Sequence, residues 1–175
     1  MDKFKNFIFD VDGVFTDGGF YYSNEGKVLK KFGDADSDAL SFIKDKLHVE
    51  MITGDKRGFP ISKKRIFEDM GYPISLVSTY ERLDWIKERF NPLETIYMGD
   101  GIYDPLVFRG VGYSIAPDNA FFNTKTYANF ITKSKGGNGA VAEAIIHVLD
   151  KFDNEPFDLF NQKLGNVSGV WKKIN

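Results

Sequence analysis

Residues 7–18 read FIFDVDGVFTDG, and the interpretation of this stretch decides the fold. The apolar run Phe7-Ile8-Phe9 stops at Asp10 and Asp12, with Gly13 directly behind them. That pattern is a buried strand whose C-terminal tip carries two carboxylates into a turn. An unpaired carboxylate at the edge of an interior is costly, and a bound cation removes the cost. In open α/β sheets, ligands gather outside the carboxyl ends of the strands. A plain turn that uses Asp for a local hydrogen bond and Gly for a positive φ has the same letters, so the surrounding chain must decide.

Outward from this strand, β-prone and helix-prone stretches alternate. FYYS (20–23) and KVLKKF (27–32) flank Asn24-Glu25-Gly26, the signature of a hairpin with a loop of three or four residues. The hairpin, about residues 18–33, projects from the tip of the first strand, either as a flap over the acidic end or as an ordinary surface element. Asp34, Asp36 and Asp38 open a helical stretch with Leu40, Phe42, Ile43 and Leu47 on its apolar face, the acids being favoured at its N-terminus. A second strand, His48 to Ile52, ends in Thr53-Gly54-Asp55, and a helix within residues 56–71 closes at Gly71. A third strand spans residues 72–77. Ser78-Thr79-Tyr80-Glu81 then has the form of a capping box for a helix over 81–90, with Arg82 in its first turn.

The fourth strand, Glu94 to Met98, runs straight into Gly99-Asp100-Gly101-Ile102-Tyr103-Asp104, a second acidic strand tip. A short helix, a fifth strand over 111–116, a helix near Thr124–Ala128 and a β segment at 130–132 follow. Gly136-Gly137-Asn138-Gly139 leads into the amphipathic helix AVAEAIIHVLDKF (140–152); such a run can hold an anion on backbone N–H groups or be a ligand-free loop. Regular alternation of strand and helix predicts an α/β fold, a Rossmann-like parallel sheet with helices on both faces. Residues 1–152 form one domain, and 153–175 form an aromatic-containing tail expected to dock on the body or on a neighbouring subunit.

Composition narrows the function. The 175 residues carry 23 basic and 25 acidic side chains, a net charge of −2, which gives no footprint for nucleic acid or for a membrane surface. Cysteine is absent, which excludes thiolate metal sites and disulfides. No secretory or membrane-length apolar run is present, so a cytoplasmic location is expected. On one edge of a parallel sheet the strand tips would then present Asp10, Asp12, Thr53, Arg82, Asp100 and Asp104 together. Several carboxylates cannot crowd together ionised without a cation. Oxygen-only ligands favour a hard ion, Mg²⁺ first. A cation beside Thr and Arg makes a dianionic phosphate the natural ligand. One acid can attack phosphorus to give an aspartyl-phosphate, and the other can protonate the leaving alkoxide and then activate water.

FDVDGVFTDG (9–18), ITGD (52–55) and MGDGIYD (98–104) resemble the haloacid dehalogenase (HAD) superfamily of phosphotransferases. The hairpin, KKFGDADSDAL (30–40) and SKGGNGAVAEA (134–144) are similar to its capless sugar-phosphate phosphatases, which act on 3-deoxy-D-manno-octulosonate 8-phosphate and related 2-keto-3-deoxy sugar acids. The resemblance implies a capless HAD fold with Asp10 as nucleophile and Asp12 as general acid/base. It implies Mg²⁺ held by Asp10, the Asp12 carbonyl and Asp100, with Asp104 in support, and Thr53, Gly54 and Arg82 on the transferring phosphoryl group. It further implies a homotetramer in which neighbours' hairpins and tails shape the site, and a place in surface-polysaccharide biosynthesis. Three positions depart from the family pattern: Asp55 and Asn138 stand where Arg is usual, and Arg82 where Lys is usual. The rival readings are a non-catalytic oligomerisation module and a receiver-type domain. The latter phosphorylates the third strand tip, here Ser78-Thr79.

Overall fold

Strand β1 (Asn6–Asp10) is buried along its whole length at the middle of a six-stranded sheet ordered β5-β4-β1-β6-β7-β8. The computed structural model describes residues 3–153 together with Phe157 and Asp158. The other strands are β4 (His48–Thr53), β5 (Ile74–Leu76), β6 (Thr95–Met98), β7 (Tyr113–Ala116) and β8 (Phe130–Ile131), and every neighbouring pair is parallel. Register pairs Asp10 with Ile52 and Phe9 with Met98. The tips of β1, β4 and β6 therefore end at one level, on one edge.

The two-residue period of a strand splits β1 between two cores. Phe7 and Phe9 join Val14, Phe15, Leu40 and the inner face of α6 (Ala140–Phe152). Ile8 packs on the opposite face with Ile52, Tyr97, Ile86 of α3 (Arg82–Arg89) and Val107 of α4 (Asp104–Phe108). Asp10 shares the parity of Ile8, so its side chain emerges on the α3/α4 face. Each such fully buried aliphatic or aromatic side chain contributes about 1.5–3 kcal/mol.

Several elements differ from the sequence expectation. Helix α1 covers Asp34–Ala39 and tightens into a 3₁₀ turn over Leu40–Phe42, short of the expected end at Leu47. Ser37 and Ser41 hydroxyls donate to the carbonyls of Asp34 and Asp38, competing with the helical ladder. Helix α2 (Phe59–Lys63) widens into a π turn over Lys64–Asp69, with Met70 N–H donating to the Arg65 carbonyl. No capping box forms at residues 78–81: Glu81 is the N-cap residue of α3 and no side chain caps it. The short helix α5 lies at Phe122–Lys125, two residues ahead of its expected start.

The hairpin forms as β2 (Tyr21–Ser23) and β3 (Gly26–Leu29), antiparallel and separate from the main sheet. Its connection is the two residues Asn24-Glu25, shorter than expected. A lone two-stranded ribbon is marginal in water; here a Thr16–Phe32 bridge anchors its base. Most of the 153–175 tail lies outside the described residues; Phe157 packs its ring 5.0 Å from that of Phe42. Among the described residues, no helix is long and apolar enough to cross a membrane.

Candidate active site

Asp10 leaves β1 into a ring of charged groups. Arg82, in the first turn of α3, forks onto it: Nη1 donates to Oδ2 at 2.7 Å and Nη2 to Oδ1 at 3.0 Å. Nη1 also reaches Asp104 Oδ1 at 2.8 Å and the Tyr97 hydroxyl at 2.9 Å. The Tyr97 hydroxyl donates to Asp104 Oδ1 at 2.9 Å, and Gly101 N–H to Asp104 Oδ2 at 2.8 Å. All four side chains are buried. Burial raises the Asp10 carboxyl to about 7; Arg82 pulls against this, while Asp104 and Asp12 add to it. Asp10 and Asp104 hold Arg82 firmly protonated despite its burial. A buried ion pair of this kind is strongly destabilising to break, by about 3–5 kcal/mol, because the remaining charge is stranded.

Asp100 lies against this cluster from the tip of β6. Burial first, then Asp10 and Asp104, push its carboxyl up to about 8. Gly13 makes room for it: with φ +80, a Cβ at that position would stand 1.9 Å from Asp100 Oδ2. One carboxylate oxygen from each of Asp10, Asp100 and Asp104 lies within 4.8 Å of the others. That spread is close to the roughly 4 Å across an octahedral Mg²⁺. Three acids share one guanidinium in a buried space, and burial together with their mutual repulsion raises the Asp10 and Asp100 carboxyls. All-oxygen donors, a short spread and crowded carboxyls fit a divalent cation.

Asp12 takes a different position. Its side chain has partners other than those of the acidic triad: Thr53 Oγ1 donates to Oδ2 at 2.8 Å, and Lys30 Nζ stands 2.6 Å from Oδ1. Thr53 Oγ1 in turn accepts from Asp55 N–H at 3.0 Å, which fixes the turn after β4. Gly54 is exposed beside it. Thus the structure brings Asp10, Arg82, Asp100 and Asp104 into one cluster and Asp12 with Thr53 into a second, joined through the two-residue step Asp10–Asp12. Arg82, expected to face a phosphate, has both Nη atoms on carboxylates. Asp55 Oδ2 meets Lys27 and Lys30, and Asp55 Oδ1 accepts from Gly58 N–H at 3.1 Å. Burial opposes its charge, but the two lysines prevail and hold its carboxyl down to about 2.

The loop after Asp12 is fixed from three sides. Thr16 Oγ1 accepts from Gly13 and Gly18 N–H groups at 3.2 and 3.3 Å. Asn119, beyond β7, donates from Nδ2 to the Gly13 carbonyl at 2.9 Å, while its Oδ1 accepts from Gly136 N–H. Gly137 N–H donates to the Val14 carbonyl at 3.0 Å, Asn138 N–H to the Lys135 carbonyl and Gly139 N–H to Asp36 Oδ2 at 3.2 Å. The glycine run therefore spends its N–H groups on the protein. Asp36 does not solvate its own helix; fully buried, it also accepts from Ala142 N–H and caps α6.

Three participants escaped the sequence reading: Lys30, Tyr97 and Asn119. Tyr97 offered a faint signal, since a tyrosine in the middle of a buried strand must find its hydroxyl a partner. Lys30 and Asn119 sat in a basic run and a turn, where neither has a local signature.

No family model matches the chain. The 3-deoxy-D-manno-octulosonate 8-phosphate phosphatase KdsC of Yersinia pestis is 32% identical over 149 residues, covering 81% of this chain and 78% of that protein. The KdsC of Haemophilus influenzae is 30% identical over 149 residues, covering 82% and 81%. Among solved structures, the cobalt-bound H. influenzae deoxy-D-mannose-octulosonate 8-phosphate phosphatase superposes with a TM-score of 0.76 at 28% identity, covering 85% of this chain and 89% of that one. The Moraxella catarrhalis 3-deoxy-D-manno-octulosonate 8-phosphate phosphatase, in complex with magnesium, phosphate and KDO, superposes with a TM-score of 0.71 at 26% identity, covering 85% and 87%. With the acidic tips of β1 and β6 on one edge of this sheet, these likenesses place the chain in the KdsC family of HAD-superfamily phosphatases.

Proposed function

We propose that this chain is a Mg²⁺-dependent phosphomonoesterase that hydrolyses 3-deoxy-D-manno-octulosonate 8-phosphate or a close 2-keto-3-deoxy sugar acid phosphate through an aspartyl-phosphate. The observation that carries the reading is Asp10 at the tip of the central strand, gripped by Arg82 and set within 4.8 Å of Asp100 and Asp104. Similarity to KdsC proteins supports the substrate class.

Asp10 attacks phosphorus, forming a P–O bond as the bond to the sugar oxygen breaks. Arg82 holds that carboxylate in one orientation, so the attacking atom is aimed before substrate arrives. Asp12 gives its proton to the departing sugar oxygen, then takes one from the water that cleaves the aspartyl-phosphate. Inorganic phosphate leaves and Asp10 is restored. Thr53 and the Gly54 turn lie beside Asp12, placed to receive phosphoryl oxygens. Asp10, Asp100 and the Asp12 carbonyl would hold Mg²⁺, with Asp104 steadied by Arg82 and Tyr97. When bound, the ion supplies positive charge against the phosphoryl oxygens.

The hairpin serves as a flap beside Asp12, and its exposed Tyr21, Tyr22 and Leu29 support a homotetramer in which neighbouring copies complete the site. A cytoplasmic enzyme of surface-polysaccharide synthesis fits this substrate. A panel of phosphorylated sugar acids and neutral sugar phosphates, assayed for phosphate release with Mg²⁺, tests the assignment. The keto-acid phosphate should lead in kcat/KM. Preference for neutral sugars by a wide margin contradicts the assignment.

A further inference from the structure

Lys30 follows β3 at the base of the hairpin, and its side chain has 0% exposure. Its Nζ donates to Ser62 Oγ at 2.9 Å and forms ion pairs with Asp12 Oδ1 at 2.6 Å and Asp55 Oδ2 at 2.9 Å; the Asp12 contact is one of charge and proximity, since Oδ1 has no aligned hydrogen-bond donor among the described residues. Lys27, also on the hairpin, shares the same Asp55 oxygen, with its ammonium 3.3 Å from the centre of the Phe20 ring. Burying a long flexible ammonium costs solvation and rotamer freedom. The return is control over what it touches. Asp12 has Lys30 on one oxygen and Thr53 on the other, contacts from two separate elements that fix both torsions of a short side chain.

We propose that Lys30 is the positioning residue for Asp12 and thereby couples the seating of the hairpin to proton transfer at the leaving oxygen. This rests on the reading of Asp12 as general acid/base. In the first half of the reaction Asp12 passes a proton to the sugar oxygen as the P–O bond breaks. In the second half it takes a proton from the attacking water. Lys30 keeps partners through both states of Asp12, because the Asp55 carboxylate still balances its charge and Ser62 Oγ still accepts its hydrogen bond when Asp12 is neutral. The side chain can therefore hold its place while the charge on Asp12 alternates. A network with Asp12 as its single acceptor would release the lysine halfway through each turnover.

The test uses leaving groups. p-Nitrophenolate departs as an anion without a proton, whereas a sugar alkoxide needs one, and kcat/KM reports on steps through formation of the aspartyl-phosphate. Lys30→Met should lower kcat/KM for the sugar phosphate about 10- to 100-fold, a part of the range a general acid supplies. The value for p-nitrophenyl phosphate should stay within about threefold, on the same ground. In an Asp12→Ala background the Lys30→Met change should have no further effect, since the two act as one unit. Ser62→Ala, which removes one anchor and no charge, should shift the ratio in the same direction by about two- to fivefold, one neutral hydrogen bond's worth. It gives a readout should the Met variant fail to fold. Equal losses on both substrates in an active enzyme, or an undiminished Lys30→Met effect without Asp12, overturn this inference alone. A wild-type chain inert toward both substrates with Mg²⁺ overturns the phosphatase reading and this inference with it.

Discussion

Two glycines with nearly the same backbone separate strain from function. Gly13 has φ +80 and Gly71 has φ +77. An alanine at either position adopts a left-handed conformation that costs about 1–2 kcal/mol. For a chain of this size, each kcal/mol moves the melting temperature by about 2–4 °C. At Gly71 nothing lies within 4 Å of the added methyl, so strain is the whole effect. At Gly13 the methyl would meet Asp100 Oδ2 at 1.9 Å, Cγ at 2.3 Å and Oδ1 at 2.7 Å. Such distances are impossible for non-bonded atoms, and Asp100 must rotate out of the acidic cluster. Disturbing a partner one step removed from a metal ligand already costs about 10–100-fold in affinity; displacing a ligand should cost at least that. Calorimetric titration of Mg²⁺, with thermal unfolding in its presence and absence, reads both quantities. Gly71→Ala should melt lower and bind Mg²⁺ like the wild type. Gly13→Ala should lose both the binding and the Mg²⁺-dependent rise in melting temperature. If Gly13→Ala binds Mg²⁺ within about threefold of the wild type, well inside that range, Asp100 is not a ligand and the site has been misassembled.

Two further outcomes follow from the charged cluster. The folded-state values of Asp10, about 7, and Asp100, about 8, are raised above the unfolded value. Their contribution to stability is therefore fully present below about pH 4 and is lost as pH climbs through about 7 to 8. The metal-free protein should lose melting temperature between about pH 4 and 8 and level off above that, and saturating Mg²⁺, which binds the deprotonated acids, should flatten the loss. A metal-free melting temperature that holds or climbs over this interval contradicts the assignment. Arg82→Ala strands Asp10 and Asp104 and should destabilise the fold by about 3–5 kcal/mol by chemical denaturation; a loss under about 1 kcal/mol, the surface-pair range, would show that the guanidinium is solvated in solution.

The sheet was legible because β1, β4, β6 and β7 are short apolar runs bounded by Gly, Asp and Pro, and the acidic tips of β1 and β6 declare themselves in adjacent letters. Helix lengths were less legible. Ser37 and Ser41 divert backbone carbonyls and end α1 early, and the π turn after Lys63 leaves no mark in the apolar periodicity. Within the site, Asp10, Asp12, Thr53, Asp100 and Asp104 could be named because strand tips concentrate ligands. The partition into two clusters could not. It depends on Asp10 emerging on the α3/α4 face while Asp12, past the end of the strand, turns toward the hairpin. That Lys30 reaches Asp12, and that Asn119 clamps Gly13 to Gly136, are contacts across 18 and 106 residues of chain set by tertiary packing.

The proposed hydrolysis depends on the Asp10 carboxylate attacking phosphorus beside a hard cation. Phosphate release from 3-deoxy-D-manno-octulosonate 8-phosphate, measured for the wild type and for Asp10→Asn with Mg²⁺ and with chelator, tests it most directly. Turnover should require Mg²⁺ and disappear in Asp10→Asn while the variant stays folded. Chelator-resistant turnover, or an Asp10→Asn variant that keeps a substantial part of the wild-type rate, would contradict it.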